Sequence, residues 1–246
     1  MQESIESTRL GANRTGMQTS PVLSKEMLDN TEIDIAEPST DPQPLAEARA
    51  DYIRDADPLG TVPPPATVKG MAKSTMKMMT GNRPQAFVDK LAERLAYERG
   101  GTRLYDAAIA KFMVLGEETT DLSMTELEKI RNEETQHAAL LVECIEKLGA
   151  DPTAQTPSAD LVGVESMGLM QAITDPRTNL AQTLHALLLA ELGDEAGWET
   201  LIAFAEQMGL EDMVKRFREA ETHEQEHVFK VRGWYEALTL QTGELV

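Results

Sequence analysis

The sequence predicts an all-α fold, a four-helix bundle with one long crossover, preceded by an N-terminal arm. Three observations carry this. From Pro84 onward apolar residues recur at steps of three and four, with no alternating run of the β type. The four segments marked in this way are joined by connections that run short, long, short, the connectivity of a bundle with a single crossover. Before Pro84 the chain is rich in Ser, Thr, Asp, Pro and Gly, and its apolar residues keep no sustained period.

The arm comprises residues 1–83. The stretch Glu37-Pro38-Ser39-Thr40-Asp41-Pro42-Gln43-Pro44 and the run Pro63-Pro64-Pro65 cannot be helix interior, because proline lacks the donor and clashes with the preceding turn. An extended arm follows, with one short helix expected near Leu45–Arg54. The locally basic, Met-rich segment Lys69–Met79 is expected to be a short helix packing its methionines; a partner-binding or lid helix is the functional alternative. The bundle is assigned to residues 84–246. Its first long helix runs from about Arg83 to Leu115. The second starts at Ser123, where Ser123 and Glu126 have capping-box spacing, and ends at Gly149 before Asp151-Pro152. The third is expected to start at Asp175-Pro176, an N-cap followed by proline at the first helical position, and to end near Met208-Gly209. The fourth runs from about Glu211 to Leu240. Short links make the first and second pairs antiparallel hairpins, and residues 150–175 are long enough to cross the bundle.

Composition excludes several function classes. The chain has 246 residues and a formal net charge of −19. The arm carries 9 basic and 12 acidic side chains, whereas residues 84–246 carry 14 and 30, so the acidity belongs to the bundle. No excess of Lys and Arg exists to neutralise nucleic-acid phosphates or dock on anionic membranes. No apolar run approaches the ~20 residues that span a bilayer. The start, MQESIESTRL, has no basic region followed by an apolar stretch, so a cytoplasmic location is expected. The single cysteine, Cys144, allows neither an internal disulfide nor a Cys-x-x-Cys metal knuckle.

The inward stripe of each long helix is apolar at both ends and ionisable in the middle. The first contributes Glu98. The second contributes Glu134 and His137, the third Glu191 and Asp194, and the fourth Glu224 and His227. A charge in a core stripe costs several kcal/mol unless it is paired, protonated or metal-bound, and here four helices carry one at mid-length. The heights also agree: the midpoint between Glu191 and Glu224 falls within a residue of the Met208–Gly209 turn, and that between Glu98 and Glu134 falls at Gly116, the edge of the first loop, a fit looser by about one helical turn. Four carboxylates and two imidazoles at one level make a site for two divalent ions. Mixed N/O ligation suits Fe or Mn, and the absence of thiolate argues against structural zinc. In each Glu-x-x-His step the side chains lie one turn apart on one face, so both reach the same ion.

These residues resemble the ferritin-like di-iron carboxylate superfamily, in which two helices each supply one Glu and two supply Glu-x-x-His. The resemblance covers residues 84–240 and is nearest to rubrerythrin-like and bacterioferritin-like proteins, since both His-bearing motifs are complete. Manganese catalases are less similar. The resemblance implies a ferritin-like four-helix bundle with Glu98, Glu134, His137, Glu191, Glu224 and His227 as metal ligands and as the catalytic set. Glu134 and Glu224 would bridge. Rubrerythrins place a further carboxylate one turn beyond the third-helix glutamate, a step occupied here by Asp194, which joins the candidate ligands. The implied cofactor is two iron ions, with manganese as the alternative. The implied chemistry is reduction of peroxide or oxygen, or ferroxidase action. An electron donor would be a separate protein, because no rubredoxin-type Cys-x-x-Cys is present. A homo-oligomer is expected, and the arm has no counterpart in the family pattern. Two other classes stay open: a stress-related binding or scaffold protein whose metal is structural or sensory, and a di-iron hydroxylase, for which small residues such as Gly101 and Thr102 leave room.

The flanking residues are read more plainly. Glu133 and Glu195 leave the stripe and are expected to be solvated, with His223 at the rim and His185 structural. Tyr105 is expected to pack in the core with its hydroxyl bonded. Trp198 and Trp234 are read as packing residues and Cys144 as an inert buried thiol.

Overall fold

The computed structural model describes residues 20–35, 43–64, 84–116 and 121–244. Among them are eight helices and no strand: α1 (Pro21–Ile35), α2 (Gln43–Asp55), α3 (Pro84–Leu115), α4 (Met124–Leu148), α5 (Pro157–Glu165), α6 (Met167–Thr174), α7 (Leu180–Gln207) and α8 (Glu211–Glu244). The chain divides into two compact units, 1–58 and 59–246. The first unit holds α1 and α2. The short helix expected at Leu45–Arg54 is α2. No periodicity announces α1, whose Val22, Leu23 and Met27 are exposed. Its local supports are Pro21 at the first position and an i,i+4 ion pair, Lys25–Asp29 at 2.8 Å. The Met-rich segment 69–79 lies outside the described residues.

The second unit is built on α3, α4, α7 and α8. Contacts along each helix pair show antiparallel packing. Between α3 and α7 they run from Phe87 against Phe204, through Arg94 with Asp194 and Tyr97 with the Ala190 carbonyl, to Lys111 near Thr178. Between α4 and α8 they run from Glu126 with Lys230, through Glu133 with His227 and His137 with His223, to Glu143 with Arg216. The residues between α4 and α7 form α5 and α6, both packed on α3. Ser158 donates to Asp89 from its backbone N and its Oγ, and Lys111 donates to the Asp175 carbonyl. The connection therefore follows α3 for 22 residues, about 33 Å at 1.5 Å per residue.

The caps explain most boundaries. Ser123 accepts from the Glu126 N–H, and Gly149 ends α4 in the left-handed region at φ 84°. Gly209, at φ 66°, makes the tight α7–α8 turn. The expected start of the third long helix is corrected. Asp175 closes α6 in an extended conformation, as a residue before proline prefers, and its carboxylate is held by Arg177. The helix begins five residues later, where Asn179 and Gln182 form a reciprocal capping box. Asn179→Ala is expected to cost about 1 kcal/mol and lower the thermal midpoint by about 2–4 °C in a calorimetric melt.

Packing divides the core in two. One apolar cluster joins Phe87, Leu91 and Leu95 to Leu141, Ile145, Trp198, Leu201 and Phe217. The other joins Leu104, Tyr105 and Phe112 to Ile130, Leu184, Leu187, Val231 and Trp234. Between them, at the middle of all four helices, lies one ionisable layer. The all-helical architecture is consistent with a ferritin-like helical bundle.

Candidate metal centre

Each long helix delivers its carboxylate to that layer by the same device, a stripe whose apolar ends pack and whose middle is polar. Glu98 on α3, Glu134 and His137 on α4, Glu191 on α7, and Glu224 and His227 on α8 are all buried. They form two groups, Glu98, Glu134, His137 and Glu224 in the first, and Glu134, Glu191, Glu224 and His227 in the second. Within each group one ligand-type atom from every residue lies within 4.8 Å of the others. Glu134 and Glu224 belong to both. Each histidine turns Nδ1 inward: His137 Nδ1 lies 2.6 Å from a Glu224 oxygen and 3.5 Å from Glu98, while His227 Nδ1 lies 3.2 Å from Glu224 and 3.4 Å from Glu134.

The polar atoms of this layer are short of partners. Glu98 Oε2, both carboxylate oxygens of Glu134, Glu191 Oε2, Glu224 Oε1 and His137 Nδ1 are buried with no hydrogen bond of acceptable geometry. Leaving such atoms unsatisfied costs about 1–3 kcal/mol each, more when charged. Five buried carboxylates (the four glutamates and Asp194) face one buried guanidinium, Arg94. With neutral histidines the layer holds four uncompensated negative charges, which two divalent cations would cancel. The donor set and the orphaned oxygens thus fit two ions. Without metal, protons must do this work. Burial and the nearby Glu224 and Glu98 charges push the Glu134 carboxyl well up. Burial opposes charging of His137, but the adjacent Glu224 and Glu98 carboxylates win and raise it to about 10. Burial likewise opposes ionisation of Glu224, yet the two histidines hold it down to about 2.

A surrounding shell fixes these groups. Tyr105 is buried and its hydroxyl donates to Glu191, in line with the expected bonded hydroxyl. The edge of Trp198 packs against His137, ring centroids 5.7 Å apart, and both tryptophans lie in the core. His185 is exposed, its ring tilted by 34° against Tyr235, and Cys144 is buried with its thiol pushed up by burial. Two flanking residues differ from expectation. Glu133 is not a solvated charge: it accepts from His227 Nε2 at 3.0 Å. His223 is half-buried at the rim as expected, but its Nδ1 also lies 3.2 Å from His137 Nε2. Glu195 is half-buried and stands outside both groups.

Asp194 does not join either group. Its carboxylate is bound by the Arg94 guanidinium, which also reaches Glu98 Oε1 at 3.3 Å and stacks over Tyr97, 4.4 Å from the ring centroid. An Asp side chain is one methylene shorter than Glu, and the neighbouring guanidinium claims it. Burial works against the Arg94 charge, but Asp194 and Glu98 more than restore it. Sequence reasoning missed Arg94 and Tyr97. The available signal was indirect. Arg94 stands one turn before Glu98, and the run Gly193-Asp194-Glu195-Ala196-Gly197 puts two glycines inside a helix, where each costs roughly 1 kcal/mol relative to alanine. A methyl group at Gly197 would overlap Arg94, and one at Gly193 would overlap the Tyr97 hydroxyl.

Gly101 works in the same way on the ionisable layer. A methyl group there would overlap Glu134 Oε2, so the space that the sequence left open beside the site is filled by the carboxylate itself. Gly101→Ala is expected to keep the helical content and to displace Glu134. Because that residue sits in both groups, bound metal should fall from about two ions per chain to below one. Elemental analysis beside far-ultraviolet circular dichroism checks this.

The chain is similar to a solved structure described as a ferritin-like, diiron-carboxylate protein from Bacillus anthracis str. Ames. They share 17% identity at a TM-score of 0.48, over 61% of this chain and 95% of that one. No family model and no curated protein matches the chain. Among the described residues no helix is long and apolar enough to cross a membrane.

Proposed function

We propose that this chain is a dinuclear metal oxidoreductase that holds two iron ions between Glu98, Glu134, His137, Glu191, Glu224 and His227 and reduces peroxide or oxygen. The observation that supports it best is the two overlapping ligand groups, with their buried, unpartnered oxygens shared through Glu134 and Glu224. Carboxylate oxygen with one imidazole per ion suits iron, with manganese the nearest competitor. When bound, a ferrous pair supplies the two electrons that peroxide needs to become water. The chain's part is to hold and to exclude. Glu134 and Glu224 each offer oxygens to both positions. Tyr105 pins Glu191 by donating its phenolic proton, and Glu133 orients His227 so that Nδ1 faces inward. The apolar clusters on either side of the layer keep bulk water from the reduced site. Electrons for further turnovers would come from a separate donor protein.

The test is metal content and reaction stoichiometry on the full chain. Protein from iron- and manganese-replete cells is expected to carry about two iron atoms per chain. The anaerobically reduced protein should then be oxidised by one equivalent of peroxide per chain without added substrate. Metal-free protein from both cultures, unable to take up ferrous ion, would sink the reading. Metal uptake without peroxide or oxygen reactivity would leave a structural or sensory metal.

A further inference from the structure

The two metal positions are built from the same ligand types, but their surroundings differ. On α4 the residue before the shared glutamate is Glu133, and on α8 it is His223. Each reaches across to the histidine of the opposite helix. Glu133 accepts from His227 Nε2 at 3.0 Å, and His223 Nδ1 lies 3.2 Å from His137 Nε2. Both inner histidines thus present Nδ1 to the layer and differ in what stands behind Nε2. A carboxylate there makes the imidazole a stronger donor to a metal, whereas a second imidazole supplies no full negative charge. Lys129, 3.5 Å from Glu133 and 43% exposed, offsets only part of this effect.

The carboxylates that belong to one group alone differ in the same sense. Glu98, of the His137 group, shares Oε1 with the buried Arg94 guanidinium at 3.3 Å. Glu191, of the His227 group, is held by the neutral Tyr105 hydroxyl. The guanidinium beside Glu98 competes for its lone pairs; Asp194 offsets part of its charge, so what is left of its repulsion of an arriving cation adds to that competition.

We propose that the two positions are unequal, and that the one built on Glu191 and His227 binds its ion more tightly than the one built on Glu98 and His137. This rests on the dinuclear reading given above. The chain would then fill in order, with the second ion the exchangeable one.

The test is a titration of the metal-free full chain with Mn²⁺, which needs no redox chemistry, reading free ion by electron paramagnetic resonance. Two classes of site are expected, with dissociation constants at least about tenfold apart. Glu133→Gln should weaken the tight class by about tenfold and leave the weak one. His223→Glu, which places a carboxylate behind His137, should tighten the weak class; a purely structural role for His223 would not do this. Circular dichroism confirms that each variant is folded. Two ions bound with equal affinity would overturn the inequality and leave the dinuclear reading standing; a His223→Glu variant whose weak class is unchanged would overturn the assignment of the weaker position to Glu98 and His137. A folded parent that binds no Mn²⁺ would overturn both.

Discussion

Exchanging Glu134 for glutamine is expected to empty both metal positions at once and to make the metal-free protein more stable. Glu134 belongs to both ligand groups, so one uncharged amide removes an anionic ligand from each. Neither of its carboxylate oxygens has a hydrogen-bond partner, and Glu224 and Glu98 crowd it with like charge. In the absence of metal it is therefore a stability cost. Relieving an unsatisfied buried carboxylate of unchanged shape should raise stability by about 1–3 kcal/mol, a rise of several degrees in the melting midpoint. With excess ferrous ion the order should invert: the parent gains by mass action and the variant does not. Elemental analysis and paired melts with and without metal read both halves. A variant that retains about two ions per chain, or a metal-free melt that falls, would contradict the assignment of Glu134 as the shared ligand.

Raising the pH should destabilise the metal-free protein and stabilise the loaded one. In the metal-free state His137 is raised from an ordinary 6.5 to about 10 by Glu224 and Glu98, which overcome the opposing effect of burial. A raised histidine contributes stability that is fully present below 6.5 and is lost as pH climbs toward 10. Burial raises the Glu191 carboxyl above its usual range, and Glu134 is raised further still. A carboxyl shifted upward has the same sign, its effect being felt above the ordinary 4.5. Glu224 has the opposite sign: held at about 2, it stabilises above 4.5, and that contribution is lost as the pH falls toward 2. Maximal metal-free stability is therefore expected at about pH 4.5, where the Glu224 contribution is complete and the losses from Glu191 and Glu134 begin. Between pH 6.5 and 9 the loss should be on the order of 3 kcal/mol from His137 alone. Metal needs neutral imidazole and ionised carboxylate, so binding releases protons and strengthens as pH rises. Melts at pH 6 and 9 with and without bound metal measure the crossing. Parallel pH profiles in the two states would show that these groups do not hold the ions.

Most of the bundle was legible because its cause is local. Four amphipathic stripes, a serine cap before the second helix, and glycines after the second and third were enough to place the long helices within a few residues. The exceptions have physical reasons. Asp175-Pro176 has the form of a helix start, but the Asp175 carboxylate is taken up in a local turn by the backbone and side chain of Arg177, and the better cap, Asn179 with Gln182, lay just beyond it. Helices α5 and α6 were read only as a crossing segment, since their short apolar faces acquire meaning against α3. Helix α1 has no sustained apolar period in its sequence to announce it.

The sequence by itself determined which side chains make up the buried ionisable layer. A charged side chain cannot sit in a core stripe without a partner, so Glu98, Glu134, His137, Glu191, Glu224 and His227 declared themselves by period and height alone. Only the tertiary structure decided what stands around them. Asp194 looked like a ligand until Arg94 was seen to claim it, and Glu133 looked solvated until it was found behind His227. The room that Gly101 left open beside the site is taken up by Glu134. Periodicity reports which face of a helix is buried. It does not report which residue of another helix meets it there, and the pairing of buried charges depends on distances of a few ångströms between helices that are remote in the chain.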